Sequence, residues 1–331
     1  MSRCIPVESI PPMKDLTIEN ITDNVQLLNN QCSSPRLRYV FERLVANLHN
    51  FARETRLSTA EWEAGIEFIT QVGKISTDLR AEGILLSDTL GLSALVDSIN
   101  HPRSADATEG SVLGPFHTHD APATDNGYVL HQDEEATKLF VLGSVRNCRG
   151  EALAGVVCDV WEGDAHGFYD VQNPNREHAD GRAVLESNES GIFYFTAVVP
   201  VPYPIPMDGP VGAMLRLLNR HPNRPGHIHF MLQKEGYDKL VTALYPRGDP
   251  YECSDPVFGV KQSLIIDIGT VDETISKSYH VPVGMKMVKY NFVLMTTQEA
   301  LELRRKKAED AFRKMEKQST LRVVDGLLQR D

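Results

Sequence analysis

Hydrophobic positions recur at helical spacing through the first third of the chain and in short strand-like runs through most of the rest. Residues 15 to 100 read as helical. Ser34 can cap a helix with Pro35 at its first position, and Leu37, Phe41, Leu44, Leu48 and Phe51 fall on one stripe behind it. Ser58 and Glu61 form a capping-box pattern ahead of Trp62, Ile66 and Ile69. A third helix is expected after Ser87-Asp88-Thr89, carrying Leu90, Leu95 and Ile99. None of these helices can bury its apolar face alone, so a bundle is expected. From about Pro102 to Asn126 the chain turns rich in Gly, Pro, Ser, Thr and Asp, the signature of a long loop. Beyond it come the runs KLFVLGSV, GVVCDVW, FYFTAVV, GHIHFML, KLVTALY, VKQSLIIDI and KYNFVLM, with turn signals between them, which indicate a β-sandwich. The tail from Thr297 reverts to helix, with Leu301, Ala308, Phe312 and Met315 at helical spacing, and is expected to dock as an amphipathic helix. The last dozen residues are expected to be loose. The fold class expected is mainly β, with a helical domain over residues 1–101, a linker loop over 102–126, and a β-sandwich with a C-terminal helix over 127–331.

At 331 residues the chain is long enough for two domains. Its net charge of −11 argues against nucleic-acid or anionic-membrane binding through global electrostatics. The five cysteines, Cys4, Cys32, Cys148, Cys158 and Cys253, show no C-x-x-C spacing and are odd in number, which fits a reduced, cytoplasmic compartment. The start, MSRCIPVESIPP, has no apolar signal core, and no stretch reaches transmembrane length.

The chemistry concentrates between residues 160 and 230. In a strand begun by Pro225 and Gly226, His227 and His229 point to the same face with Ile228 opposite; on a helix they would lie about 200 degrees apart. Two imidazoles on one face suit a metal; a bare pair at this spacing also suits two histidines hydrogen-bonded within a sheet. Tyr203 stands in PYPIP, whose prolines exclude an interior strand or a helix and leave a rigid extended loop. Tyr169 lies just past the end of the GVVCDVW strand, after Gly163, Asp164 and Gly167, where sites are commonly built. Arg224 alone would read as a surface charge or an ion-pair partner.

Together the segments GFYD, YPIPxDGPVG and RPGHIHF, in this order, resemble the intradiol ring-cleavage dioxygenases. The resemblance runs from about Leu79 to about Leu294. It implies non-heme Fe(III) held by Tyr169, Tyr203, His227 and His229, with Tyr203 released when a catechol binds and able to accept one of its protons. Phenolate ligands favour ferric over ferrous iron, which agrees. The family arginine matches Arg224, which would stabilise charge developing on the ring. The chain is similar to the hydroxyquinol branch of the family at LLSDT, VLGPF and YPIP. That similarity implies a substrate pocket of Leu85, Asp88, Val112, Leu113, Gly114, Pro115, Phe116, Ile205 and Pro206, together with Arg224. Asp88 would accept a hydrogen bond from a third ring hydroxyl, although it is equally placed to cap a helix. The expected reaction adds both atoms of O2 to hydroxyquinol (1,2,4-trihydroxybenzene), giving 3-hydroxy-cis,cis-muconate, or maleylacetate. The resemblance also implies a homodimer through the N-terminal helices with lipid at their interface.

One position departs from the family. Catechol-cleaving relatives carry Gln, and hydroxyquinol-cleaving relatives His, where this chain has Ala243, so support for Arg224 or the substrate must come from elsewhere. Three other readings compete. Catechol could be the substrate, giving cis,cis-muconate. Zinc at the two histidines could serve a hydrolase, which would require a carboxylate or thiolate ligand. Last, a metal-free β-sandwich could act as a binding module.

Overall fold

The structure, a computed structural model, describes residues 13, 15–78, 80–131, 133, 135–173, 175, 177–314, 321–324 and 326–330. Cys4, Leu79 and Met315 lie outside the described residues. Five helices come first: α1 (Ile21–Asn29), α2 (Pro35–Thr55), α3 (Thr59–Ile75), α4 (Glu82–Thr89) and α5 (Leu92–Asn100). There follow β1 (Lys138–Asn147), β2 (Val157–Glu162), β3 (Arg182–Glu186), β4 (Ile192–Val198), β5 (Tyr203–Pro204), α6 (Pro210–Leu217) and β6 (Asn223–Arg224). The remainder comprises β7 (Ile228–Gln233), β8 (Leu240–Pro246), β9 (Ile265–Ile266), β10 (Gly269–Thr270), α7 (Glu273–Tyr279), β11 (Lys286–Leu294), α8 (Thr297–Lys314), β12 (Leu321–Val324) and β13 (Leu327–Arg330).

The chain divides into two compact units, residues 1–67 with 305–331, and residues 68–304. In the first, the sequence signals act as expected. Ser34 Oγ accepts from the Leu37 amide at 3.3 Å with Pro35 in the first turn, and Glu61 Oε2 accepts from the Ser58 amide at 2.9 Å. The stripe of Leu37, Phe41, Leu44, Leu48 and Phe51 stays exposed along α2. Within the last dozen residues, expected to be loose, residues 321–324 and 327–330 form the β12–β13 ladder in register Leu321↔Arg330 to Val324↔Leu327, and Arg36 of α2 donates to the Leu328 carbonyl.

In the second unit, a five-stranded sheet runs β3-β2-β7-β8-β9 and a four-stranded sheet β10-β11-β1-β4. Pairing is antiparallel except β1 with β11 and β8 with β9. One hydrophobic core draws on both sheets: Val141, Phe193 and Phe292 from one, Val160, Phe230 and Leu244 from the other. Strand alternation sends Phe140 to the opposite face, where it packs with Val271 and Met287.

Several elements differ from the sequence expectation. Of VKQSLIIDI only Ile265 and Ile266 form a strand, because Gln262–Leu264 close into a 3-10 turn. Strand β3 was not anticipated, since its first residue is an arginine; that arginine, Arg182, is buried against Asp170. Helix α6, with Pro210 in its first turn, was also missed. α4 and α5 group with the sheets, and Leu85 of α4 packs with Ile205, Val211 and Leu215. No helix among the described residues is long and apolar enough to cross a membrane.

Candidate active site

His229 is central in the five-stranded sheet, paired with Trp161 of β2 on one side and Ala243 of β8 on the other. The Trp161 indole stacks on the His229 ring, 4.7 Å between centroids and 7° from parallel. His227, just ahead of β7, shares its face, and the two Nε2 atoms stand 2.9 Å apart. His227 Nδ1 lies 2.7 Å from the Pro225 carbonyl, which can only accept, so Nδ1 carries the proton and Nε2 presents a lone pair. Both rings are held neutral, the form that binds metal. Burial, reinforced by Arg224, lowers the His227 pKa to about 3; burial and then His227 hold that of His229 well below the usual imidazole value.

Tyr169 reaches this point from the end of β2. Asp164 Oδ1 accepts from the His166 and Phe168 amides at 2.8 and 2.9 Å, turning the chain, and Gly167 follows at φ +84°. A side chain at Gly167 would begin 2.6 Å from Tyr203 Cβ, so the close approach of the two tyrosine segments requires glycine. The phenol rings meet edge to face at 5.4 Å, and Phe116 stacks on Tyr169 at 4.5 Å. Tyr203 is held by the ladder of β5 with β6, where it pairs with Arg224. Its ring is 5.6 Å from that of His227, and the Tyr169 ring is 6.5 Å from that of His229. The four aromatic side chains named as metal ligands thus converge, each at most 4% exposed.

The convergence fits a cation. Tyr169 Oη and His229 Nδ1 are buried without a hydrogen-bond partner. Burial raises both phenol pKa values; the neighbouring Tyr203 raises Tyr169 further, and Arg224 partly offsets the rise at both. Two phenolates are therefore stable here only beside strong positive charge, which a hard, high-valent metal supplies. Among the described residues no three His, Cys, Asp or Glu side chains cluster as ligands, so the carboxylate or thiolate needed for the zinc reading is not brought to these histidines.

Arg224 is buried at the same point. Its Nε donates to Asp255 Oδ1 at 3.0 Å and its Nη1 to Tyr203 Oη at 3.3 Å. Burial opposes the charge on both members of the pair. Asp255 nevertheless holds the guanidinium pKa well above its usual value, and Arg224 keeps the Asp255 carboxylate below its own. Asp255 lies outside every motif that the sequence marks. The Asp170–Arg182 pair was missed too. Arg182 also donates to the Phe116 carbonyl at 3.1 Å and to Thr118 Oγ1 at 2.7 Å, tying the Tyr169 loop to the Phe116 segment.

Of the expected pocket residues, Leu85, Pro115, Phe116 and Pro206 line a cavity of about 310 Å3. Val112 and Ile205 are buried, and a side chain at Gly114 would begin 3.5 Å from His229 Nε2. Leu113 is 38% exposed. Asp88 is 1% exposed, its Oδ2 has no partner, and burial raises its pKa. It lies inside α4, and the residue capping α5 is Gly91, so Asp88 does not cap the helix that follows it.

Residues 112–296 match the family described as Dioxygenase, and residues 34–108 the one described as Catechol dioxygenase N terminus. The intradiol ring-cleavage dioxygenase hqdA of Aspergillus niger is 52% identical over 318 residues, 96% of each chain. The 6-chlorohydroxyquinol 1,2-dioxygenase of Cupriavidus pinatubonensis is 44% identical over 77% of this chain and 92% of its own. Among solved structures, hydroxyquinol 1,2-dioxygenase from Pseudomonas putida is similar with a TM-score of 0.77 and 39% identity, over 84% of this chain and 98% of that one. With family matches over both the helical and the sheet-rich segments, and half its residues shared with an intradiol enzyme along nearly its whole length, this chain belongs to the intradiol ring-cleavage dioxygenases.

Proposed function

We propose that this dioxygenase cleaves hydroxyquinol between its adjacent hydroxylated carbons, incorporating both atoms of O2 to give 3-hydroxy-cis,cis-muconate, the tautomer of maleylacetate. The observation that carries the choice of substrate is Asp88, a buried carboxylate with an oxygen that lacks a partner. A third ring hydroxyl would satisfy it, whereas catechol would leave it unpaired. The names of relatives at 39–44% identity, hydroxyquinol and 6-chlorohydroxyquinol 1,2-dioxygenases, favour the same substrate.

Tyr169, Tyr203, His227 and His229 are assigned as the ligands of a ferric ion. When bound, the ion serves as Lewis acid and template for a chelating diol. Tyr203 is assigned as the ligand that leaves and takes a substrate proton, because Arg224 beside it stabilises the free phenolate. Tyr169, without such a partner, is assigned as the permanent ligand. Arg224 is the catalytic cation facing charge that develops on the ring. Leu85, Val112, Gly114, Pro115, Phe116, Ile205 and Pro206 form the walls that exclude water, with Leu113 at the rim.

The two sheets are read as a β-sandwich, supported by their shared core. The N-terminal segment, residues 1–101, is read as the dimerisation domain of a homodimer, with lipid against the exposed apolar stripe of α2. Residues 102–126 form the linker loop that supplies pocket residues, and residues 127–331 the catalytic domain. A cytoplasmic location is supported by the free thiols of Cys32, Cys148, Cys158 and Cys253. The test is oxygen uptake by iron-loaded protein with hydroxyquinol and with catechol, alongside a visible spectrum. One O2 consumed per hydroxyquinol, faster than with catechol, and a phenolate-to-iron charge-transfer band are expected. Faster turnover of catechol would transfer the proposal to the catechol reading, and a colourless protein in which zinc supports the activity would falsify the iron assignment.

A further inference from the structure

Arg224 has five N–H donors, and each has an acceptor in the structure. Nε and one Nη2 hydrogen go to Asp255 at 3.0 and 3.2 Å, and the other Nη2 hydrogen goes to Tyr245 Oη at 3.4 Å. The Nη1 hydrogens face Tyr203 Oη at 3.3 Å and His227 Nε2 at 3.1 Å. The guanidinium thus has an anchored edge and a working edge. The working edge points at groups that exchange partners when substrate arrives, so the anchored edge must fix the plane by itself.

Ala243 contributes nothing to that anchoring. It lies opposite His229 in the ladder and ends in a methyl group. Two residues further along β8, on the same face, Tyr245 is fully buried with its ring 5.2 Å from that of His227. We propose that Tyr245, oriented by Ser111 and the Gly259 backbone, is the positioning residue that holds the anchored edge of Arg224, the role left open by alanine at position 243. The proposal rests on the assignment of Arg224 as the catalytic cation.

The direction of every bond follows from one carbonyl. Ser111 Oγ lies 2.7 Å from the Gly259 oxygen, which can only accept, so the serine spends its one proton there. Tyr245, 3.2 Å from Ser111 Oγ, must then donate to it, and its lone pair is turned toward Arg224. The Gly259 amide donates to Asp255 Oδ2 at 2.9 Å. A closed ring results, running from the Gly259 carbonyl through Ser111, Tyr245, Arg224 and Asp255 back to the Gly259 amide. Gly259 must be glycine for this ring to close. A side chain there would begin 2.8 Å from Tyr245 Oη, 3.0 Å from Arg224 Nη2 and 3.1 Å from Asp255 Oδ2. A lone ion pair with Asp255 would fix one edge of the fork; the phenol adds the second acceptor at Nη2 that resists rotation when the working edge lets go.

The experiment compares Tyr245→Phe, Ser111→Ala, their double variant, Tyr245→Phe/Ala243→Gln and Arg224→Gln. Each is measured for kcat, KM, bound iron and thermal midpoint of the purified protein. Tyr245→Phe is expected to lower kcat roughly 10- to 100-fold with KM and bound iron nearly unchanged, the effect of one lost hydrogen bond to a buried charge. Ser111→Ala should add little to it, both in kcat and in thermal midpoint, because the two residues act as one relay. Ala243→Gln should restore part of kcat in the Tyr245→Phe background, since a polar side chain returns to the same face. If Arg224→Gln loses kcat while Tyr245→Phe keeps it, or if the two relay substitutions add and Ala243→Gln restores nothing, the relay is overturned and the role of Arg224 stands. If Arg224→Gln itself keeps wild-type kcat, the underlying assignment fails and the relay with it.

Discussion

Tyr203 stands directly across from Arg224 in the two-residue ladder of β5 and β6, and Arg224 Nη1 reaches the phenol oxygen at 3.3 Å. Tyr169, 5.4 Å away ring to ring, has no hydrogen-bond partner at its oxygen. The two phenols are therefore unequal before any metal or substrate binds. Arg224 offsets the burial of both phenols, but only Tyr203 accepts a hydrogen bond from it.

That inequality separates two variants. Tyr203→Phe is expected to retain some iron and to slow substrate deprotonation, because the phenolate proposed to accept a proton is gone. Tyr169→Phe is expected mainly to weaken iron retention and to alter the charge-transfer colour. Rapid-mixing spectra and metal analysis decide; substrate-binding kinetics in Tyr203→Phe equal to wild type would remove that tyrosine from its proposed role.

The loop carrying Tyr169 is fastened by Asp170, whose carboxylate pairs with Arg182 at 2% exposure of the arginine. Asp170→Asn leaves a buried guanidinium short of its counter-charge, a change that commonly costs about 3–5 kcal/mol. The expected result is a lower thermal midpoint together with faster iron loss to a chelator. A stable variant with wild-type iron retention would show that the loop is held by other means.

The division between what was legible in the sequence and what was not follows the range of the interactions. Ser34, Pro35, Ser58 and Glu61 signal helix starts through contacts within four residues, and the strands holding His229 and Val141 announce themselves by local composition. The metal-ligand candidates were recognisable because His227 and His229 share a strand face and Tyr203 stands among prolines. Asp255, Asp170, Arg182 and Tyr245 gave no such signal. Each matters through a partner far away in sequence, as Asp255 does 31 residues from Arg224. The C-terminal ladder escaped for another reason: two strands of four residues have no periodicity to read.

Stability should depend on pH through a pair behind the site. Glu162, at the end of β2, accepts from the Val198 amide at 2.9 Å and faces His131 Nε2 at 3.6 Å, while its second oxygen has no partner. Burial raises its pKa from 4.5 to about 8. His131 is also raised: burial opposes its charge, but Asp180 and Glu162 outweigh that. A raised folded-state pKa gives stability that is complete below the unfolded value and lost as pH climbs through the folded one. Glu162 therefore favours the fold at pH 4.5 and progressively less up to about pH 8, and His131 acts in the same direction above 6.5. Asp180, lowered chiefly by its hydrogen bond with His131, acts only below the ordinary aspartate value of 3.8 and is constant in this window. The thermal midpoint of the wild type should fall between pH 5 and 8, and Glu162→Gln should flatten the fall. An equal slope in both proteins would place the dependence elsewhere.

Asp88 bears the substrate proposal, and its surroundings sharpen the expected effect. It is enclosed near the end of α4, burial raises its pKa, and Arg224 and Ser93 act against that rise. A carboxylate kept from water with an unfilled oxygen gains most from a neutral hydroxyl donor, and it disfavours a ring that brings none. Sites built to bond a hydroxyl reject the analogue lacking it by up to about 10⁴-fold in the best cases. Wild type should show higher kcat/KM for hydroxyquinol than for catechol, and Asp88→Ala should shrink the ratio by losing hydroxyquinol turnover while catechol turnover holds or rises. The direction matters more than the size. Loss of both substrates in parallel would mean that Asp88 supports the α4 packing around Leu85 and not the ring, whereas an unchanged ratio would move the discrimination to other residues of the proposed pocket, Phe116 and Pro206 foremost, which line the cavity beside Leu85 but offer no acceptor for a third hydroxyl.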